Sequence, residues 1–317
     1  MLAIAARLAR PREVARTGDD SPAAGVWRYV WRMTGRSQLL ACALAIVATA
    51  LSLAPVELQR RMFDDALSTQ DFEMLLALAA IYLASVLALQ AVKFVMGLLT
   101  GWMSESAVVY TRAHLWTFKA RRRDPGVSSI LLTETDALGG FAGAAPSQFV
   151  ANLSLLIGAL AYMFWVEPLV AAAGLAMVAP QAVLAPIIQK RLNRYVSTRV
   201  RLLRRYAASL ERDPAPEARE TAARLRSLHR ARMAFLWWKF LMKAALNVLN
   251  AAAPLAVIVA GGWLAIAGDS SIGVIVAFVA GFARIGDPIR QLIGFYRETQ
   301  EARVRHDLIA DWMRQSS

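Results

Sequence analysis

The chain has 317 residues, of which 57% are hydrophobic, and a mean hydropathy of +0.41, yet 36 Lys and Arg against 23 Asp and Glu leave it at +13. Soluble domains run at about 45–50% apolar, so a single water-soluble core is excluded. The lone Cys42 excludes an internal disulfide and a Cys-based structural zinc site. His114, His229 and His306 have no metal-ligand spacing, and no Ser/His/Asp or paired-carboxylate arrangement stands out. The chain is therefore expected not to be an enzyme by itself, and to hold no metal or cofactor of its own.

Residues 1–25 read as a loose tail. Met1–Ala9 is too short, and has no basic stretch ahead of it, for a signal peptide. Val26–Arg36 reads as a short amphipathic helix lying at the membrane interface. Arg28, Arg32 and Arg36 share one face, with Trp27, Val30 and Trp31 toward the other.

A bilayer core needs about 20 apolar residues in a helix. Leu39–Val56 is the first such run, and Met74–Met103, interrupted by Lys93, is the second. Phe149–Val166 and Leu169–Ile188 follow, separated only by Glu167 and Pro168, which predicts an antiparallel hairpin. Ala244–Ala267 is the fifth run. Ile272–Phe282 opens the sixth, which continues through Arg284, Asp287, Pro288 and Arg290 to Tyr296. The expected fold is an all-α, six-span membrane domain over residues 26–317.

The charge is segregated between the connections. The first 37 residues sum to +4, residues 104–148 to +1 and residues 189–243 to +11, whereas Glu57–Glu73 sums to −3. Positive connections stay on the cytoplasmic side, so both termini are expected there, in an inner or plasma membrane. That bias accounts for the basic balance without a nucleic-acid partner. The two long inner connections, 104–148 and 189–243, keep apolar residues at helical spacing: Val109, Leu115, Trp116 and Phe118, then Leu192, Tyr195 and Leu202. They predict helices running on below the membrane and turning at Asp124, Pro125 and Gly126, and again at Asp213, Pro214 and Glu217. The tail Arg297–Arg314 continues span six, with Val304, Leu308, Ile309 and Trp312 as its apolar side.

Short outer loops, long inner helical extensions and an interfacial elbow helix together resemble the transmembrane domain of ATP-binding-cassette (ABC) exporters. The stretch from Gly262 through Gly268, Ser271 and Gly273 to Phe278 follows that family's glycine-spaced pattern across spans five and six. Asp287, Pro288 and Ile289 stand where the family has its span-six proline. Pro125, Gly126 and Ser128, then Leu132, Asp136 and Leu138, are a degraded form of its first inner loop. The second inner loop departs further, reading Leu210, Glu211, Arg212, Asp213, Pro214, Ala215, Pro216, Glu217.

The resemblance implies that span six lines a translocation pathway, where Arg284 and Asp287, three apart, either contact substrate or form a buried pair holding the bundle together. Asn247 and Asn250 of span five, like Gln90 and Asn152, either line a polar path or bond between helices. Asp124, Pro125, Gly126, Asp213, Pro214 and Glu217 would dock a partner. No G-x-x-x-x-G-K-[ST] loop occurs in the 317 residues. ATP and Mg are therefore expected only through a separate nucleotide-binding subunit, beside pairing with another transmembrane domain as a homo- or heterodimer. Two other readings stay open: proton-driven transport with Asp287 as the protonatable group, and a non-transporting assembly or regulatory subunit. The substrate is not legible.

Overall fold

A computed structural model describes residues 10–11, 25–119, 133–212 and 218–316. The turn residues Asp124, Pro125, Gly126, Asp213, Pro214 and Glu217 lie outside them, as does most of the N-terminal tail. All the regular structure among the described residues is helical: α1 (Val26–Thr34), α2 (Arg36–Arg61), α3 (Phe72–Lys119), α4 (Thr135–Val166), α5 (Pro168–Arg212), α6 (Ala218–Ala267) and α7 (Ile272–Ser316). A π-helical stretch, Met62–Leu67, prolongs α2. The acidic connection expected over Glu57–Glu73 is thus mostly helix, and the break narrows to Gln70 and Asp71.

Local chemistry explains the breaks. Gly35, at φ 49°, is the one residue between α1 and α2, and its N–H bonds back to Trp31 O at 2.8 Å. Asp71 Oδ1 accepts the Met74 N–H at 3.0 Å and caps α3. α6 ends at Gly268, φ 86°, where the Gly268 and Asp269 N–H groups close onto Ala265 and Leu264 carbonyls. Among the described residues, six helices are long and apolar enough to cross a membrane, matching the expected runs.

The chain divides into two compact units, Met1–Trp165 with Ile272–Ser317, and Val166–Ser271. In the first, α2 and α4 run parallel, as the pairs Thr49–Ala151 and Glu57–Tyr162 show. α7 runs antiparallel to α2, with Ser52 against Arg284 and Asp64 against Gly273. α3 and α4 are antiparallel and close. Ser104 meets Gly140, and Arg112 pairs with Asp136 at 2.7 Å.

The principal core of this unit lies beyond the membrane-length apolar runs, at the end marked by Tyr29. Tyr29, Val30 and Met33 of α1 pack with Ala107 and Leu115 of α3, Leu138, Phe141 and Ala142 of α4, and Ala302, Ile309, Trp312 and Met313 of α7. By contrast, the apolar windows of α3 and α4 are only 11% buried. Lipid tails are as apolar as leucine, so nothing drives those side chains together, whereas in water a fully buried Leu contributes about 1.5–3 kcal/mol.

Several faces differ from those read off the sequence. Trp27 and Trp31 are exposed, and Tyr29, which shares a 2.8 Å hydrogen bond with Thr111, faces the core instead. Burial pushes the Tyr29 hydroxyl up to about 12, so it stays neutral. Val109 and Trp116 are exposed while Leu115 is fully buried. In α7, Val304 and Leu308 are exposed, and the buried stripe runs Ala302, His306, Ile309, Met313. A small and a polar residue in that stripe hide it from a hydrophobicity pattern.

The second unit is the antiparallel pair α5 and α6. Gln181 Nε2 donates to Asn250 Oδ1 at 2.8 Å, and further along the Arg191 guanidinium sits 4.5 Å over the Trp238 ring.

Candidate functional site

α7 carries the polar residues expected to line a pathway, and its open face is unlike that of its neighbours. Between Gly273 and Phe295 its exposed positions are Ala283, Arg284, Asp287, Arg290 and Gln291. At 100° per residue these fall on one arc of about 120°. None is a large apolar residue. The exposed face of α3 at comparable depth carries Ile81, Leu83, Leu87, Phe94 and Val95. An ionised side chain at mid-membrane costs roughly 2.5–3.5 kcal/mol on insertion scales. The arc of α7 is therefore unsuited to lipid, while that of α3 suits it. The opposite side of α7, with Ala277, Phe278, Phe282 and Ile285, is buried in the unit.

Arg284 and Asp287 do not form the i,i+3 pair that their spacing suggests. Arg284 Nη1 donates to Ser52 O of α2 at 2.8 Å, and Asp287 pairs with Arg290. The cause is geometric. Helical side chains lean toward the N-terminus, so Arg290 reaches back one turn to Asp287, while Arg284 leans away from it toward α2.

Asn250 is engaged between α5 and α6 with Gln181, which is 3% exposed, and Asn247 is exposed. Of the two readings for these amides, the structure places Asn250 in an interhelical bond. Asn152 bonds to Gln148 O within its own helix. Interhelical amide bonds in membranes average about 0.6 kcal/mol. Gln181→Leu is expected to cost about 0.5–1.5 kcal/mol, and the Gln181→Leu/Asn250→Leu double variant less than the sum of the singles. Thermal unfolding of the four proteins in one detergent checks this; additive losses would mean the amides do not interact.

Two further features emerge only from the tertiary structure. One is a clasp at the end of the unit opposite Tyr29. Arg60 holds Glu57 through two nitrogens at 2.8 and 3.0 Å and Asp64 at 3.3 Å, and Arg61 adds a third bond to Glu57. Tyr162 Oη of α4 donates to Glu57 at 2.7 Å. Asp64 Oδ1 accepts the Gly273 N–H at 2.8 Å in the first turn of α7, where a carboxylate also suits the helix dipole. Three helix ends are tied by one network. In sequence its α2-side members form only an acidic connection, because their partners are about 100 and 200 residues away.

The other feature is Gly139 and Gly143 on α4, a G-x-x-x-G spacing within the connection 104–148. A Cβ at Gly143 would lie 2.5 Å from Ser104 N and 2.8 Å from its Cα, and one at Gly139 would lie 3.1 Å from Ser104 O and Val108 N. α3 and α4 approach through bare backbone.

Among the described residues, no group of three or more His, Cys, Asp or Glu is placed to hold a metal ion. The fold is an all-α membrane bundle with long extensions beyond its apolar runs and one polar helix face. The profile of the ABC transporter transmembrane region matches residues 39–200, just over half of the chain, from α2 into α5. The chain belongs to that family, as an integral membrane protein and a transmembrane subunit of an ABC-type transporter. No curated protein matches it.

Proposed function

We propose that the chain is the translocating subunit of an exporter-like transporter, with α7 lining the path. The observation that carries this is the polar arc of α7 at a depth where α3 presents leucine and phenylalanine to its surroundings. The clasp at Asp64 supports it by anchoring the start of α7 while leaving the charged turns at Arg284–Gln291 open. The termini and the +11 connection lie on the cytoplasmic side of the inner or plasma membrane, in keeping with the positive-inside bias.

Two such transmembrane domains pair and alternate between inward and outward opening. The work comes from a nucleotide-binding partner, as expected of an ABC transporter transmembrane region. ATP and Mg act through that partner, which docks near residues 124–126 and 213–217. The subunit itself catalyses no reaction.

Cysteine accessibility tests the pathway. In a Cys42→Ser background, Ala283→Cys and Gln291→Cys are expected to react with a water-soluble thiosulfonate in membranes. Leu87→Cys, on the exposed apolar face of α3, is expected to stay unreactive. Equal protection at all three positions would overturn the reading.

A further inference from the structure

We propose that the cargo is an anionic amphiphile, an apolar body bearing a carboxylate or phosphate, and that Arg284 is the residue that meets its charge. This rests on α7 lining the path. Arg284 lies 12 residues into α7, about 18 Å from its start at 1.5 Å per residue. That is too deep for its side chain to reach an interface.

An arginine at that depth is normally neutralised by a carboxylate or turned into a polar cavity. Here the carboxylate at the obvious spacing, Asp287, belongs to Arg290. Glu57, reached by the nearby Tyr162, is already held by Arg60 and Arg61. Among the described residues, no carboxylate pairs with Arg284. Its protein partner is the Ser52 carbonyl, a neutral acceptor that takes one of five guanidinium donors. On the open arc the Asp287–Arg290 pair cancels, and one positive charge remains.

The surroundings specify the rest of the ligand. Arg284 borders a narrow crevice whose partly exposed lining is Leu53, Leu155 and Tyr162, over the buried Val56, Ala159, Met163 and Ile285. On the arc itself Ala283 leaves room beside the charge. An uncharged cargo would leave the guanidinium unneutralised in passing, and a cationic one would be repelled. A headgroup with two or three acceptor oxygens matches the planar donors that remain, while an alkyl chain lies over the partly exposed Leu53 and Leu155 beside it.

The test uses the full chain in phosphatidylcholine nanodiscs, with radiolabelled dodecyl phosphate as probe against dodecyl trimethylammonium and dodecyl maltoside. Dodecyl phosphate is expected to bind at least about tenfold more tightly than either, as a charge-assisted hydrogen bond provides. Arg284→Gln is expected to abolish the preference, and Arg284→Lys to retain part of it. Unfolding temperatures of both variants separate lost binding from lost fold. Millimolar inorganic phosphate is expected not to displace the probe; displacement would assign the site to a soluble anion and overturn the amphiphile. Equal affinity for all three probes, or a preference that survives Arg284→Gln in folded protein, overturns the proposal. The same discs carry the cysteine readout. Labelled Ala283→Cys without anion preference leaves the pathway standing and removes only this inference, whereas unlabelled Ala283→Cys removes both.

Discussion

Gly143→Ala is expected to destabilise the protein by about 1–2 kcal/mol, whereas Gly140→Ala, three residues earlier on the same helix, is neutral or slightly stabilising. In a helix interior, alanine is normally favoured over glycine by about 1 kcal/mol, so both substitutions start with a gain. At Gly140 nothing lies within 4 Å of the new Cβ, and the gain stands. At Gly143 the new Cβ meets the Ser104 amide nitrogen and Cα. These are backbone atoms, so no rotamer change relieves the overlap and α3 must move away from α4. Overpacking of that kind costs about 1–3 kcal/mol and occasionally more. The shift also loosens the Arg112–Asp136 pair further along the same interface. Thermal unfolding in detergent should place the two variants on opposite sides of the parent. Similar midpoints for both would show that the close approach at Gly143 does not hold α3 to α4.

Gly273→Ala and Asp64→Ala are each expected to cost about 1–2 kcal/mol and to free the start of α7. A Cβ at Gly273 would lie 2.5 Å from Arg60 O, a backbone atom, and would overlap the Asp64 carboxylate. Removing the Asp64 carboxylate instead leaves the Gly273 N–H without its acceptor and takes one of two partners from Arg60. An unsatisfied buried donor costs about 1–3 kcal/mol, and the partial exposure of the clasp argues for the lower end. Asp64→Asn separates the two contributions. It keeps an oxygen for the Gly273 N–H and loses the charge, so it should fall between the parent and Asp64→Ala. Hydrogen exchange of the Gly273 and Val274 amides is the local readout, with faster exchange expected in Asp64→Ala than in Asp64→Asn. If the two exchange alike, the ion pair with Arg60 rather than the bond to Gly273 is what anchors α7.

The glycine-spaced stretch from Gly262 to Gly273 was visible as a pattern, but its physical content differs from one glycine to the next. Gly268 supplies the positive φ that ends α6, Gly273 admits the Arg60 carbonyl and Asp64, and Gly262 has open space around it. A spacing records that glycine is present, while the backbone around each one decides which property of glycine is in use. The polar arc of α7 was half legible. Arg284 and Asp287 stood out because ionised residues in apolar runs are costly. Their actual partners, Ser52 and Arg290, depended on the direction in which helical side chains lean and on which helix lies beside them.

The sequence by itself determined the all-helical, six-span character of this protein, because runs of about 20 apolar residues have few other stable environments and helices satisfy their own backbone within each run. It also determined the separation of charge from hydrophobicity, a matter of composition along the chain. Only the tertiary structure decided where the core lies, which helix faces are left open and which residues clasp the helix ends. In a membrane, hydrophobicity no longer distinguishes inside from outside, so a leucine facing lipid and a leucine facing another helix look the same in sequence. That distinction rests on small residues such as Gly143 and on contacts such as Asp64 to Gly273, made between positions some 200 residues apart.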